Sequence, residues 1–303
     1  LHLRSDELKA LPAFINKLTQ LKSLTLELSA LQAFPEVVFK LNQLQHLQIK
    51  ADQLLELPDE FAALTELQHL EIAAGGFSVL PPSIGKLPQL TTLTLIGQQQ
   101  NLQLVPFWEL PRLQTLSFRN MHFSPWQTGE ATLPLLKHAS FYNCQFQGQS
   151  PEWLEGSPLE YLGFHRNKGV SYDLLDKKLQ AQNIIIQDDA LQSIPKKVFK
   201  VEGLESLDIA SAKLSDVGKV WKCDNLLELA IGRNERLTDI PSKMKKLLQL
   251  QELHLDARNL RSLPEELAEL KNLRILTLKS EQWDQIPAAL GNLPQLEILT
   301  LEG

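Results

Sequence analysis

A strand-like pattern, LxxLxL, recurs along the chain at nearly constant intervals, and this periodicity restricts the possible folds more than any other feature. Copies begin at positions 21, 44, 67, 90, 113, 136 and 159, each 23 residues after the last. Further copies begin at positions 181, 204, 226, 250, 273 and 296, at intervals of 22 to 24 residues. Repeats of this length form solenoids, in which each repeat packs only on its neighbours. The pattern predicts a single solenoid domain over residues 1–303 with about 13 repeats.

Each repeat has two halves with different apolar spacing. Leu24 and Leu26 alternate with polar residues, whereas the apolar residues that follow lie three or four positions apart. The first half therefore predicts a β-strand and the second a helical or 3-10 turn. Prolines such as Pro12, Pro35 and Pro264 recur where the second half begins, because a fixed φ suits the start of a turn. Stacked repeats would pair their strands in parallel and bury the leucines in one continuous core.

The consensus LxxLxLxxxxLxxLPxxIxxL resembles the 23-residue class of leucine-rich repeats, which is found in many bacterial proteins and in the plant intracellular Ras-related group. The resemblance covers the whole chain. It implies an α/β fold, a right-handed horseshoe-shaped solenoid with a parallel β-sheet on its concave face and short helical or 3-10 turns on its convex face. It also implies that the concave face binds proteins.

The chain departs from this family at the position three residues after the third strand leucine. The family usually has an asparagine there, whose side chain bonds to backbone groups of adjacent turns. Asn167 and Asn234 keep it, and Cys144 is a small substitute that we expect to be buried and unreactive. At the other repeats we expect buried backbone groups to bond to water or to neighbouring side chains. The residues at that position in those repeats include Ser29, Asp52, Gly75, Ala212 and Arg258.

The central repeats, near residues 98–186, keep their strands but lose the LPxxI half. Phe118, Phe141 and Phe164 occupy the third inward strand position of three successive repeats, which predicts that they belong to the core. Trp126 and Trp153 are predicted to fill the convex-side positions of the missing Ile and Leu. An irregular segment of this kind either changes the curvature or opens the convex side, and both alternatives stay open.

Alternate strand residues point away from the core, so the exposed positions of the sheet follow from the repeat. In the central repeats these positions predict a shallow groove with small residues between two walls. Arginine and tyrosine are typical of binding hot spots, so we predict that a protein or peptide binds there. The alternative is that these residues are ordinary polar fillers of the strands. One wall consists of Arg119, Tyr142 and His165, the other of His138 and Tyr161, and the floor of Ser117, Ser140 and Gly163.

Two other exposed groups could hold a cation. His46 and His69 are neighbours in one column with Glu71 beside them, but a third close ligand is lacking, so we predict no metal and no cofactor. Carboxylates cluster on three adjacent later repeats, where a solvated acidic face is the expected outcome and a basic partner or a weakly held cation the alternative. These are Asp208, Glu228, Glu252 and Asp256.

Composition and motifs exclude several classes of function. The net charge of -6 and the scatter of lysine and arginine predict no nucleic-acid partner. No apolar run approaches the roughly 18 residues that a membrane span requires. The motifs GxSxG and HExxH and the glycine-rich phosphate loop are absent, so we predict no enzymatic activity. The absence of terminal cysteine clusters and of NxS or NxT sites fits a bacterial protein.

The leading functional hypothesis is a protein–protein interaction module. One alternative is the substrate-recognition arm of a larger bacterial effector or enzyme, for example a ubiquitin ligase or a kinase. Another is the binding of a glycan or cell-surface polymer, since aromatic and histidine side chains also suit sugars. The leucine rows at both ends would be left uncovered, so we expect the natural chain to extend beyond both ends. These leucines are Leu1, Leu3, Leu296, Leu299 and Leu301.

Overall fold

The computed structural model describes residues 1–98, 101–102, 110–124, 133–175, 178–283 and 285–303. It divides into two compact units. The first comprises Leu1–Leu159 with Asn167–Ser171, and the second comprises Glu160–Arg166 with Tyr172–Gly303. Among the described residues, no helix is long and apolar enough to cross a membrane.

The first unit consists of short parallel strands joined by 3-10 turns. Its sheet has the order β1-β2-β3-β4-β5-β7-β9, and β6 pairs with β8 in a separate two-stranded ladder. The 3-10 turns span Ala13–Lys17, Glu36–Lys40, Phe61–Ala63, Pro82–Lys86 and Glu152–Leu154. The strands are β1 (His2–Ser5), β2 (Ser23–Leu28), β3 (His46–Ala51), β4 (His69–Ala74), β5 (Thr92–Ile96), β6 (Asn101–Leu102), β7 (Thr115–Arg119), β8 (His122–Phe123) and β9 (His138–Tyr142).

The second unit repeats this organisation, with strands in the order β10-β11-β12-β13-β14-β15-β16. Its 3-10 turns span Val198–Lys200, Val220–Lys222, Ser242–Lys246, Glu265–Glu269 and Ala288–Asn292. The strands are β10 (Pro158–His165, which begins in the first unit), β11 (Gln180–Gln187), β12 (Ser206–Ala210), β13 (Glu228–Asn234), β14 (Glu252–Ala257), β15 (Ile275–Lys279) and β16 (Ile298–Glu302). The parallel sheet and the short turns confirm the fold class predicted from the repeat.

The apolar rows of the repeat form the core, as predicted. Leu24 and Leu26 of β2 are fully buried, and Thr25 between them lies on the opposite face of the sheet. Phe118 and Phe141 are also fully buried and stack with ring centroids 5.7 Å apart, which confirms their core role. The Trp153 ring packs edge-on against both, so it fills space beside the core as expected. Trp126 lies outside the described residues.

Prolines mark the entry to most 3-10 turns. Pro12, Pro81 and Pro264 directly precede their turns with φ values of -61°, -61° and -68°. These values lie close to the φ that the pyrrolidine ring imposes, so the turns begin without backbone strain. The carbonyl of Pro12 then accepts the first turn hydrogen bond, from the Ile15 N–H.

The position that turns inward after each strand differs from the one expected in most repeats. Among the described residues, it lies three residues after the last strand apolar residue only at Met121, Cys144, Asn167 and Asn234. The residues directly before these four adopt left-handed backbone conformations, which add one residue to the strand exit. They are Asn120, Asn143, Arg166 and Arg233, with φ values of 54°, 51°, 55° and 50°.

In the other repeats the strand alternation continues for one more step, so the inward residue comes two positions after the last strand apolar residue. Ser29, Asp52, Gly75, Ala212 and Arg258, which occupy the asparagine position of the family, are therefore not the inward residues of their repeats. The buried residues are Leu28, Ala51, Ala74, Gly97, Asp188, Ser211, Ala257 and Ser280.

Side chains at the inward position satisfy buried backbone groups where they are polar. The Asn234 Nδ2 donates to the carbonyls of Ser211 and Leu214 at 2.9 and 2.6 Å. Its Oδ1 accepts from the Arg236 and Leu237 N–H groups at 3.0 and 2.6 Å. Ser280 Oγ likewise donates to backbone carbonyls of the preceding repeat. Serine at the inward position thus takes over the bonding of the asparagine in two of the other repeats, at Ser211 and Ser280.

Candidate functional site

The face of each sheet opposite the buried leucine rows, here called the open face, carries the predicted binding residues. Five of the eight lie in the first unit, on β7 and β9, and three lie in the second, on β10. The five are Ser117, Arg119, His138, Ser140 and Tyr142, and the three are Tyr161, Gly163 and His165.

In the first unit the strand register places matching residues side by side. Arg119 pairs with Tyr142 and Ser117 with Ser140 in the parallel ladder. The Arg119 Cζ lies 4.9 Å from the centroid of the Tyr142 ring, which is a cation–π contact. The Ser140 Oγ donates to the Ser117 Oγ at 3.1 Å, and Ser117 is only 6% exposed. A polar floor therefore lies beside an exposed guanidinium and a half-buried ring.

In the second unit Tyr161 and His165 meet above Gly163. The Tyr161 Oη and the His165 Nε2 are 2.7 Å apart, and the two rings are nearly parallel at 17°. A Cβ at Gly163 would lie 2.5 Å from the Tyr161 Oη and 2.6 Å from the His165 Nε2. Only glycine leaves room for this bridge. The space above Gly163 is therefore filled, where the sequence predicted an open floor.

The partial burial of the His165 imidazole changes its acid–base behaviour. Burial lowers the pKa of His165 below its ordinary value of 6.5, and a hydrogen bond with Gln187 partly opposes this shift. The ring is thus held neutral to lower pH than a solvated histidine. At neutral pH it can donate or accept a hydrogen bond but carries no charge.

A second hollow on the open face of the first unit was not predicted as a site. The rings of His46 and His69 stack 4.4 Å apart at 8°, and together with Ser23, Thr25 and Thr94 they line a cavity of about 300 Å³. Burial and the nearby His46 lower the pKa of His69. The signal was present in the sequence, since the two histidines occupy the same strand position one repeat apart.

Glu71 lies near these histidines but does not complete a metal site with them. Its Oε1 accepts from the Gln48 Nε2 at 2.9 Å, and the parallel imidazoles face each other. Stacking of this kind directs the ring nitrogens along the rings' edges rather than towards a shared point.

The acidic face of the second unit contains the closest set of potential metal ligands among the described residues. One ligand atom from each of Glu228, Glu252 and His254 lies within 4.8 Å of the other two. Glu228 and Glu252 are direct partners in the β13–β14 ladder, and the Ser206 Oγ donates to the Glu228 Oε2 at 3.0 Å. Burial and the charge of Glu228 raise the pKa of Asp208. The group could accept a divalent cation or a basic side chain.

The cysteines are not arranged for nucleophilic chemistry. Cys144 is 2% exposed, which confirms the predicted burial, and its Sγ contacts the carbonyls of Phe118 and Tyr142. Burial raises the pKa of Cys144 to about 12 and that of Cys223 likewise to about 12. Neither thiol is ionised at neutral pH, and the thiolate is the reactive form.

The repeat geometry agrees with a family model. Residues 1–164, more than half of the chain, match the model described as a leucine-rich repeat region. The chain belongs to the leucine-rich-repeat family. No curated protein matches the sequence.

Solved leucine-rich-repeat structures share the fold of this repeat protein. A leucine-rich-repeat protein of Leptospira interrogans is 22% identical with a TM-score of 0.62, over 99% of this chain and 83% of that one. The Toll–Spätzle complex of Drosophila matches at 18% identity and a TM-score of 0.68, over 98% of this chain and 42% of that one. A complex of TLR13 with single-stranded RNA matches at 19% identity and a TM-score of 0.57, over 92% and 48%. At such identities the likeness shows the fold alone.

Proposed function

We propose that this leucine-rich-repeat chain is a non-enzymatic interaction module that binds a folded protein or a peptide on the open face of its sheet. The observation that carries the proposal is the Arg119–Tyr142 pair. Arginine and tyrosine are enriched among the residues that dominate binding energy. Because the guanidinium already rests over the ring, both side chains lose less conformational freedom when a partner covers them.

The bridge in the second unit supports the same proposal independently. Tyr161 and His165 hold each other in place by a hydrogen bond of 2.7 Å, so they offer a fixed surface that is aromatic on its sides and polar at its centre. Rigid amphipathic side chains of this kind are suited to recognition at low entropic cost. Within each unit, binding would therefore use residues that are oriented in advance.

The comparisons are compatible with a protein partner. One of the similar structures is a complex with the protein Spätzle, and another is a complex with single-stranded RNA. The net charge of -6 favours a protein or peptide over RNA for this chain, because phosphate binding depends on clustered cations. The same surface would also serve the substrate-recognition arm of a larger bacterial effector or enzyme.

Glycan binding has less support. A sugar usually requires an aromatic face that lies flat and accessible, whereas Arg119 covers one face of Tyr142. The Tyr161 ring lies nearly parallel to the His165 ring at 6.4 Å. Both arrangements favour a partner that exchanges hydrogen bonds and packs against the edges of the rings.

The experiment begins with a photo-reactive amino acid at Thr94, which faces the open side next to Ser117 in the ladder. A control probe at Lys17, on a 3-10 turn, should not capture the same partner. Once the partner is identified, Arg119→Ala and Tyr142→Ala should each weaken binding by about 2 kcal/mol or more. Their unfolding midpoints should stay close to that of the parent, since neither side chain belongs to the core.

The proposal is contradicted if alanine substitutions at other positions cause the largest losses of binding affinity. Thr277→Ala, an open-face change in the second unit, serves as the matched control and should not affect affinity. If the losses fall on Glu228, Glu252 and Asp256, or around Trp153, then binding uses the acidic face or the turns instead.

A further inference from the structure

A cavity between two consecutive 3-10 turns of the second unit lies apart from the open face. It has a volume of about 550 Å³ and opens between Val198–Lys200 and Val220–Lys222. Cavities of roughly 300 to 1,000 Å³ are typical of sites for small molecules. Its position on the turns means that no residue of the proposed protein-binding surface takes part in it.

Two aromatic side chains form the apolar walls of this cavity. Phe199 and Trp221 are half-buried and occupy equivalent places in successive repeats. Gly218 keeps the space beside Phe199 open, because a Cβ at this position would lie 3.0 Å from the Phe199 Cζ. Its left-handed φ of 61° also favours glycine, and its N–H donates to the Asp216 Oδ1 at 2.9 Å. The walls are thus shaped by the backbone as well as by the rings.

Four exposed lysines surround the aromatic walls. Lys196, Lys200, Lys219 and Lys222 all line the cavity, and none of them forms an ion pair with a carboxylate in the part of the chain that the structure describes. Asp216 is the one acidic residue in the lining. The positive charge of the cavity is therefore largely unneutralised within a chain whose net charge is -6.

Two other lysines of the second unit show what a neutralised arrangement looks like. Lys197 pairs with Asp173 at 3.2 Å, and Lys245 pairs with Glu269 at 3.2 Å. A further cation is placed at the indole, since the Lys243 Nζ lies 5.5 Å from the centroid of the Trp221 ring. The four lysines that line the cavity surround its aromatic walls and form no ion pairs with carboxylates of the described chain. Such a cluster of positive charge favours the binding of an anion.

We propose that this cavity binds a small aromatic phosphate, with the aromatic body between Phe199 and Trp221 and the phosphate among the lysines. Stacking and apolar burial account for the aromatic part. A phosphate group suits the charged part because it carries close to two negative charges at neutral pH and accepts several hydrogen bonds from lysine. The site is independent of the open face, so the module has a second binding function.

The test uses 1-naphthyl phosphate as the probe and follows it by ligand-observed NMR and isothermal titration calorimetry. Inorganic phosphate and 1-naphthol represent the two halves of the probe. We expect 1-naphthyl phosphate to bind roughly tenfold more tightly than either half, because it uses both the rings and the lysines. Raising the salt concentration should weaken binding of the phosphate ester and leave 1-naphthol unaffected.

The variants distinguish binding in this cavity from nonspecific electrostatic attraction to the protein surface. The double variant Lys219→Gln, Lys222→Gln should bind the probe roughly tenfold more weakly. The control Lys246→Gln, Lys271→Gln changes the net charge equally at positions that do not line the cavity, and it should bind as the parent does. Trp221→Leu should weaken 1-naphthyl phosphate and leave inorganic phosphate unchanged, with the unfolding midpoint measured alongside.

Three results would overturn the proposal. One is the absence of saturable binding at about 1 mM probe. Another is an equal loss in both double variants, which would indicate nonspecific attraction. The third is binding to vesicles of anionic phospholipid that depends on Lys219 and Lys222 while 1-naphthyl phosphate does not compete, because the lysines would then serve a membrane surface.

Discussion

Replacement of Asn234 by alanine tests how the strand exits are held together. The side chain is 1% exposed and makes four hydrogen bonds to backbone groups. Asn234→Ala would leave two buried carbonyls and two N–H groups without these partners. A hydrogen bond contributes about 1 kcal/mol net, and a stranded buried group costs about 1 to 3 kcal/mol. Allowing for water to replace some of the bonds, we expect a loss of about 3 to 5 kcal/mol in the free energy of unfolding.

The measurement combines urea unfolding with amide hydrogen exchange. The Leu237 N–H donates to Asn234 at 2.6 Å, so its exchange should accelerate strongly in Asn234→Ala. Asn272→Ala is the matched control, since the Asn272 Nδ2 makes one exposed bond to the Leu248 carbonyl at 2.8 Å. It should cost less than about 1 kcal/mol.

A second substitution sharpens the test. Asn234→Asp keeps the two acceptor contacts but cannot donate to the carbonyls of Ser211 and Leu214, so it should destabilise at least as much as alanine. Should Asn234→Ala cost no more than Asn272→Ala, the four bonds do not carry the stability assigned to them and the reasoning fails.

Three further predictions concern which strand side chains point into the core, the reactivity of the thiols and the pH dependence of stability. Leu253→Ala should cost about 2 to 5 kcal/mol in urea unfolding and Thr277→Ala less than about 0.5 kcal/mol, and equal losses would mean that the strand faces are assigned wrongly. Cys144 and Cys223 should resist a thiol reagent at pH 8 until the protein unfolds, because burial raises the pKa of each to about 12; rapid labelling of the folded protein would contradict this. Burial lowers the folded-state pKa of His165, so the unfolded chain binds its proton more readily and stability should fall as the pH drops from 6.5 towards the lowered value. His165→Gln should reduce that dependence, and the lowered pKa of His69 should account for part of what remains. An unchanged pH profile would exclude a contribution from His165.

The sequence predicted most of the fold because burial follows directly from the spacing of apolar residues. Rows such as Leu24 and Leu26, and the stacked Phe118 and Phe141, are fixed by period-two alternation within strands that repeat every 23 residues. The proline positions predicted the turns for a similar reason, since the ring of Pro264 restricts φ whatever its surroundings. These features depend on local chemistry and on the repeat length alone.

The inward position after each strand was harder to predict because it depends on one backbone angle. Whether Ala257 or Arg258 turns inward is decided by the presence or absence of a left-handed residue before it. The family pattern favoured the later position. A column of small residues two places after the last strand apolar residue, such as Ala51 and Ser211, was the available signal.

The candidate site shows a similar limit. The repeat identified which residues lie on the open face, and the structure places Arg119 beside Tyr142 as the register requires. The repeat pattern could not predict that Tyr161 and His165, four residues apart on one strand, would contact each other. Their contact requires the absence of a Cβ at Gly163. The orientation of each ring is visible only in the three-dimensional structure. The sequence did not predict the lysine-lined cavity at Trp221, because the repeat pattern does not show which turn residues border a common cavity.

The left-handed residue Arg233 also explains how the solenoid tolerates a change in repeat length. Ile209 pairs with Ile231, 22 residues later, and Leu229 pairs with Leu253, 24 residues later, yet Asn234 pairs with Ala257 after 23. Strand β13 is thus offset by one residue from the 23-residue spacing of its neighbours. The extra residue at the end of the strand restores that spacing before the next turn begins. A one-residue insertion or deletion is corrected inside a single repeat and is not passed on. Repeats of unequal length can therefore accumulate in one chain during evolution while the stacking of all later repeats is preserved.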